Sequence, residues 1–236
     1  MKIAKIVLFF VGLFAFSFSS NVNAYSDNCN TYFPISVGME WTMKNMDKKG
    51  KETSRSTMKV LEALPAEGGL IYKMQGILSV DGKKEEEQIT NFEYQCTNNV
   101  LKFSMDQFLP ESYSTMEGIE IDIDTEGMEV PNELDAGEKL KDASVHITGM
   151  MNGMKVMDMT VNITDRIVEK FEDITTEAGT FNCAKITSKT TMRFGFINSS
   201  TSSNQWISSK VGIVKTEEFD KKGKLESVSE LVEFKK

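Results

Sequence analysis

Apolar and polar residues alternate one by one through most of this chain, and that pattern constrains the fold more than any other feature. In MEWTMKNM, Met39, Trp41 and Met43 alternate with Glu40, Thr42 and Lys44. NFEYQC sets Phe92, Tyr94 and Cys96 against Glu93 and Gln95. VMDMTVNI sets Met157, Met159, Val161 and Ile163 against Asp158, Thr160 and Asn162, and Val145 and Ile147 flank His146. A repeat of two sends successive side chains to opposite faces of a strand. Turn signals punctuate these runs at Lys49-Gly50, Gly68-Gly69, Asp81-Gly82, Asn98-Asn99, Asn152-Gly153 and Lys222-Gly223. Asp-Gly and Asn-Gly are strong hairpin signals because these residues tolerate positive φ. Helical spacing is confined to Asp106–Glu117, where Phe108, Leu109, Tyr113 and Met116 make one stripe and Pro110 falls in the first turn. The expectation is an all-β chain: an antiparallel curled sheet, or an open or half barrel, of about ten strands with one short helix. The pentapeptide DKKGK occurs at 47–51 and again at 220–224. It reads as one good solution for a solvated turn, used twice.

The N-terminus has its own signature. Lys2 and Lys5 precede an uncharged apolar run from Ile6 to Phe18, followed by polar residues and Val22-Asn23-Ala24. This is the pattern of a secretory leader cleaved near Ala24. The apolar run is too short to cross a hydrocarbon core of about 30 Å as a helix. Cys29 follows Ser26-Asp27-Asn28 rather than the apolar run, which argues against lipid attachment there. The expected organisation is a leader over 1–24 and a single domain over 25–236. The protein is expected to be exported, to the periplasm or the exterior, with no transmembrane segment after cleavage. The formal net charge of -8 disfavours nucleic acid, whose phosphates an acidic surface repels.

Most catalytic templates are excluded by composition. His146 is the only histidine, so serine, cysteine and zinc sites would all depend on it. Its place between Val145 and Ile147 puts it on a solvated strand face. No CxxC, HExxH, GxSxG or P-loop spacing occurs. In EGIEIDIDTEGMEV, Glu120, Asp122, Asp124 and Glu126 share one face of an extended segment. Oxygen clusters suit calcium, but the EF-hand spacing is absent, and a charge-guarded edge strand explains the same pattern. The chain has 15 methionines, five of them within GMMNGMKVMDM. Core and hairpin packing, an adaptable apolar pocket and copper binding are the three readings of that cluster. The expectation is no enzyme, no cofactor and no metal.

Three cysteines leave one unpaired in an oxidising compartment. A Cys29–Cys96 disulfide would staple the mature N-terminus to the sheet. Cys183, two residues after Phe181, is then free and buried, although Lys185 on the same face is placed to lower a thiol pKa.

CNTYFPISVGMEW, PNELDAGEKLKDASV, TTEAGTFNCAKI and QWISSKVGIVKTEEFDKKGKL resemble the exported DUF3108-like domains of Bacteroidota, some of them called TapB family proteins. Here Glu177 stands where the family pattern usually has proline. The resemblance covers nearly the whole mature chain and implies no catalytic residue. It extends, by fold analogy, to the LolA-like half-barrels that hold acyl chains on a concave face. The functional expectation is a non-enzymatic cell-envelope protein that binds an apolar or lipid ligand or a protein partner. Its cavity would be lined by residues from Trp41, Met43, Phe92, Tyr94, Met157, Met159 and Phe181. The alternatives are a structural or adaptor β-module without a small-molecule site and, third, a carboxylate-dependent hydrolase.

Overall fold

The computed structural model describes residue 32 and residues 35–80, 87–97, 100–103, 118–209 and 211–236. The helical stripe expected at 106–117, the leader, Cys29 and the Asp81-Gly82 and Asn98-Asn99 turns lie outside the described residues. What is described is all-β. The strands are β1 (Glu40–Asp47), β2 (Glu52–Ala66), β3 (Gly69–Val80), β4 (Glu87–Thr97), β5 (Val100–Phe103), β6 (Glu120–Glu126), β7 (Met128–Val130), β8 (Ala143–Met151), β9 (Met154–Thr176), β10 (Gly179–Phe194), β11 (Ile197–Ser208), β12 (Gly212–Phe219) and β13 (Leu225–Lys235). The count is thirteen rather than about ten. The difference comes from pieces such as β5 and β7, four and three residues long, which are too short to display an alternation.

All thirteen belong to one antiparallel sheet, in the order β6-β8-β9-β10-β11-β12-β13-β1-β2-β3-β4-β5-β7. β6 and β7 stand at opposite ends of this order, yet only Gly127 separates them along the chain. The two edges are thereby tied together, and the sheet forms a nearly closed barrel. Closure limits the exposed edge that would otherwise invite pairing with other chains.

A second seam runs along β9. Its first half pairs with β8, ending at Ala143 opposite Ile163. Past Asp165, which has φ 54°, the segment 137–140 takes over: Gly137 N–H donates to Val168 C=O (2.7 Å), Val168 N–H to Glu138 C=O (2.9 Å) and Leu140 N–H to Arg166 C=O (2.9 Å). Arg166 is buried here. Its guanidinium donates to the carbonyls of Lys141 and of Glu129 in β7, so one side chain clamps three stretches of the wall.

Among the described residues the interior is packed with apolar side chains. The largest cluster joins Tyr72 and Met74 of β3, Phe92 and Tyr94 of β4 and Leu101 of β5 to Val168, Ala184 and Ile207 of β9, β10 and β11 across the barrel. Burying each large apolar side chain is worth about 1.5–3 kcal/mol. A second cluster holds Met43, Cys183, Trp206, Val214 and Leu231, with Ile174, Ala178 and Phe181 of the β9–β10 hairpin packed against it. Lys44 of β1 pairs with Glu177 in that hairpin turn, although β1 lies four strands from β10 in the sheet. A third, small cluster of Val145, Ile147 and Met157 serves β8 and β9.

The two DKKGK turns are built alike. Asp47 Oδ1 accepts from Lys49 N–H (2.8 Å) and Lys51 N–H (3.0 Å), and Asp220 Oδ1 from Lys222 N–H (2.7 Å) and Lys224 N–H (2.9 Å). Gly50 and Gly223 supply the positive φ, 76° and 74°, that the turn requires. The recurrence is a shared turn chemistry, as the sequence implies.

Candidate functional site

Three places were open to function: the barrel interior, the isolated reactive side chains, and the outer surface. In the interior, a void of about 40 Å³ is lined by Ile35, Met39, Trp41, Met58, Tyr94, Val211, Gly212 and Ile213. That is well below the roughly 150 Å³ of an engineered apolar cavity that takes up benzene. Of the seven residues expected to line a cavity, Trp41 and Tyr94 reach this void. Phe92 packs beside Tyr94 with ring centroids 5.4 Å apart and the rings tilted by 54°. Met43 and Phe181 belong to the second cluster, and Met157 and Met159 to the third. The structure divides the seven among three clusters, with Trp41 packed between the first, which holds Phe92 and Tyr94, and the second, which holds Met43 and Phe181, and with Met157 and Met159 apart in the third. Burial raises the Tyr94 phenol well above its ordinary pKa, as a low-dielectric surrounding should.

The reactive candidates are each accounted for by ordinary contacts. Cys183 is fully buried and free. Its S–H donates to Phe181 C=O at 3.3 Å. Burial, reinforced by Asp173 and Glu172, pushes its pKa up to about 12, so it carries almost no thiolate at neutral pH. Lys185 does not lower it, because its ammonium pairs with Glu169 at 2.6 Å. Cys96 is buried in the large cluster. His146 lies on the exposed face of β8 and meets Asp158 at 2.9 Å. Asp158 also binds Lys155 at 2.8 Å, and these partners lower its carboxyl to about 2. Glu120, Asp122, Asp124 and Glu126 lie exposed along β6, an edge strand that among the described residues pairs only with β8. Among the described residues no three His, Cys, Asp or Glu side chains converge as metal ligands would.

The outer surface carries a larger concavity than the void beside Trp41. A groove of about 410 Å³ crosses β9, β10 and β11 and reaches the β12–β13 turn. Lys189, Thr191 and Arg193 alternate along β10, Asn198 and Ser200 face them from β11, and Lys221 closes one side. Among the described residues no carboxylate lines it. Arg193 approaches Asp158 only to 3.9 Å, and Lys189 and Lys221 make no ion pair among the described residues. The sequence reading passed over this site. Its one local signal is the hydroxyl-rich stretch INSSTSSN of β11, which forms a strand without an apolar face.

The family model for DUF3108-like proteins matches residues 36–231. The chain belongs to the DUF3108-like family. Two solved structures resemble this DUF3108-like chain. One is a candidate lipoprotein from Parabacteroides distasonis, 26% identical, with a TM-score of 0.67 over 88% of this chain and 99% of that one. The other is a candidate exported protein with a YmcC-like fold from Bacteroides fragilis, 20% identical, with a TM-score of 0.65 over 86% of this chain and 98% of that one. The second likeness shows the fold alone. No curated protein matches the chain.

Proposed function

We propose that this DUF3108-like protein is an exported, non-enzymatic module of the cell envelope that works from its outer surface as an adaptor. On this reading the leader is removed near Ala24, the mature domain acts in the periplasm or outside the cell, and a Cys29–Cys96 bridge ties its N-terminal segment to β4. The observation that carries the reading is the filled interior. Residues from opposite walls meet in one buried cluster, and the void beside Trp41 is about 40 Å³. An engineered apolar cavity that takes a guest as small as benzene measures about 150 Å³. An acyl chain would therefore have to displace packed side chains, and the transfer energy of about 0.8 kcal/mol per CH₂ would be offset by the contacts it broke. The description of the Parabacteroides distasonis relative as a candidate lipoprotein supports the location.

Calorimetric titration with fatty acids of increasing length, below their micellar concentrations, tests the reading. We expect no saturable heat at any length. One-to-one binding that tightens with each added carbon would replace the adaptor by an acyl-chain carrier and return Trp41, Met43, Phe92, Tyr94, Met157, Met159 and Phe181 to the role of cavity lining.

A further inference from the structure

One end of the barrel differs from the rest of the chain in both polarity and charge. Successive turns of an antiparallel meander emerge at alternate ends. The β10–β11, β12–β13 and β1–β2 turns are every second connection in the strand order, so they share an end. The β8–β9 turn joins them, because Met159 stands opposite Phe194 and Gly195 N–H donates to Asp158 C=O at 3.1 Å. At the other end, the β2–β3 and β9–β10 turns carry Glu67 and Glu177.

The shared end presents apolar side chains to water. Phe196 is 104% exposed and Ile197 65%, with Phe194 at 41% beside them. Met154, at 65%, projects from the neighbouring hairpin. Grouped exposed apolar residues of this kind mark contact surfaces. Directly behind this turn lies the groove of Lys189, Arg193 and Lys221. The DKKGK turns add more lysines, and Lys48 of one acts electrostatically on Asp220 of the other. Several carboxylates near these turns are engaged, Asp47 and Asp220 by backbone N–H groups, Asp158 by Lys155 and His146 and Glu52 by Arg55, while Glu120 and Glu226 are exposed and are outnumbered by the lysines and arginines around them. A cationic end on a chain of net charge -8 would orient the molecule toward negative surfaces.

We propose that this end docks on an anionic lipid surface, with Phe196 and Ile197 entering the interface and the Lys189–Arg193–Lys221 groove receiving lipid phosphates. A soluble anion would use the groove and leave Phe196 and Ile197 in water. An anionic bilayer satisfies both features together, since its interface takes apolar side chains and its charge attracts nearby lysines and arginines. The proposal rests on the envelope location and gives the adaptor reading its surface.

Vesicle binding by the mature chain tests it. Phe196→Trp provides a reporter at the tip, and the vesicles are phosphatidylcholine alone or phosphatidylcholine with phosphatidylglycerol. The expected result is co-sedimentation with the anionic vesicles, a blue shift of the new indole, and neither with the neutral ones. Lys189→Ala and Lys221→Ala should each weaken binding about fivefold. Phe196→Ser with Ile197→Ser should abolish binding, while far-UV circular dichroism shows the fold intact. Absence of binding to anionic vesicles, or binding indifferent to the serine pair, overturns the proposal. Calorimetric binding of inorganic phosphate without vesicle binding also overturns it and assigns the groove to a soluble anion. A null vesicle result leaves the filled-barrel reading standing, because that reading is judged by the fatty-acid titration.

Discussion

Cys183 shows how a side chain that looks reactive in sequence is disarmed by its surroundings. Its S–H meets Phe181 C=O, and Asp173 and Glu172 add to a burial that already disfavours the thiolate. We expect a bulky maleimide to label Cys183 only after denaturation, and peptide mapping of the oxidised protein to find Cys29 joined to Cys96. Rapid labelling of the folded protein, or a bridged Cys183, would contradict this. Arg166 is the opposite case. Nothing around it in DRIVEKF distinguishes it from a surface cation, yet it is buried and satisfies two backbone carbonyls on separate segments. Arg166→Met keeps much of the volume and removes both donors. At about 1–3 kcal/mol for each buried acceptor left unpaired, it should cost about 2 kcal/mol or more in urea unfolding. Arg166→Lys should recover part of that, since lysine keeps the charge but not the fork. Burial of Cys183 was legible because its alternation with Phe181 is local. The role of Arg166 was not, because it depends on Glu129 and Lys141 lying next to β9 in space.

At the scale of elements, the turns were the most legible part of the chain. Asn152 and Gly153 have φ of 51° and 77°, as an Asn-Gly hairpin demands, and both DKKGK turns follow from an Asp that caps its own loop. These caps predict a pH dependence. The Asp47 and Asp220 carboxyls are lowered, chiefly by backbone N–H donors from Lys51 and Lys224 respectively, and Asp158, through Lys155 and His146, falls to about 2. A carboxyl depressed by folding stabilises the native state above its unfolded pKa, about 3.9, and loses that contribution as pH falls through the folded value. The melting temperature should therefore fall between about pH 4 and pH 2. Asp47→Asn with Asp220→Asn should flatten the fall, because the amide oxygen still accepts but does not titrate. A slope unchanged by the pair would show that other carboxylates control acid unfolding. The short strands were not legible. β7 is three residues long, and its pairing with β5 is set by closure of the sheet rather than by its own pattern.

At the scale of the whole molecule, the class of the fold followed from period-two patterning, while its closure did not. The alternation says that every strand has a buried face; it does not say that β6 and β7, adjacent in sequence, lie at opposite ends of the sheet order. The cationic end was hidden for the same reason. Its lysines are scattered along the chain and gather only because alternate turns of a meander emerge together. The choice between carrier and adaptor turns on the interior, where described residues from opposite walls meet in one buried cluster. Trp41 sits at the void, and the chain has two tryptophans, so Trp206→Phe leaves Trp41 as the single indole reporter. Its emission, followed during titration with a long-chain fatty acid below the micellar concentration, tests the filled interior most directly. An unchanged maximum and intensity are predicted. A saturable, one-to-one change that grows with acyl length would contradict the account.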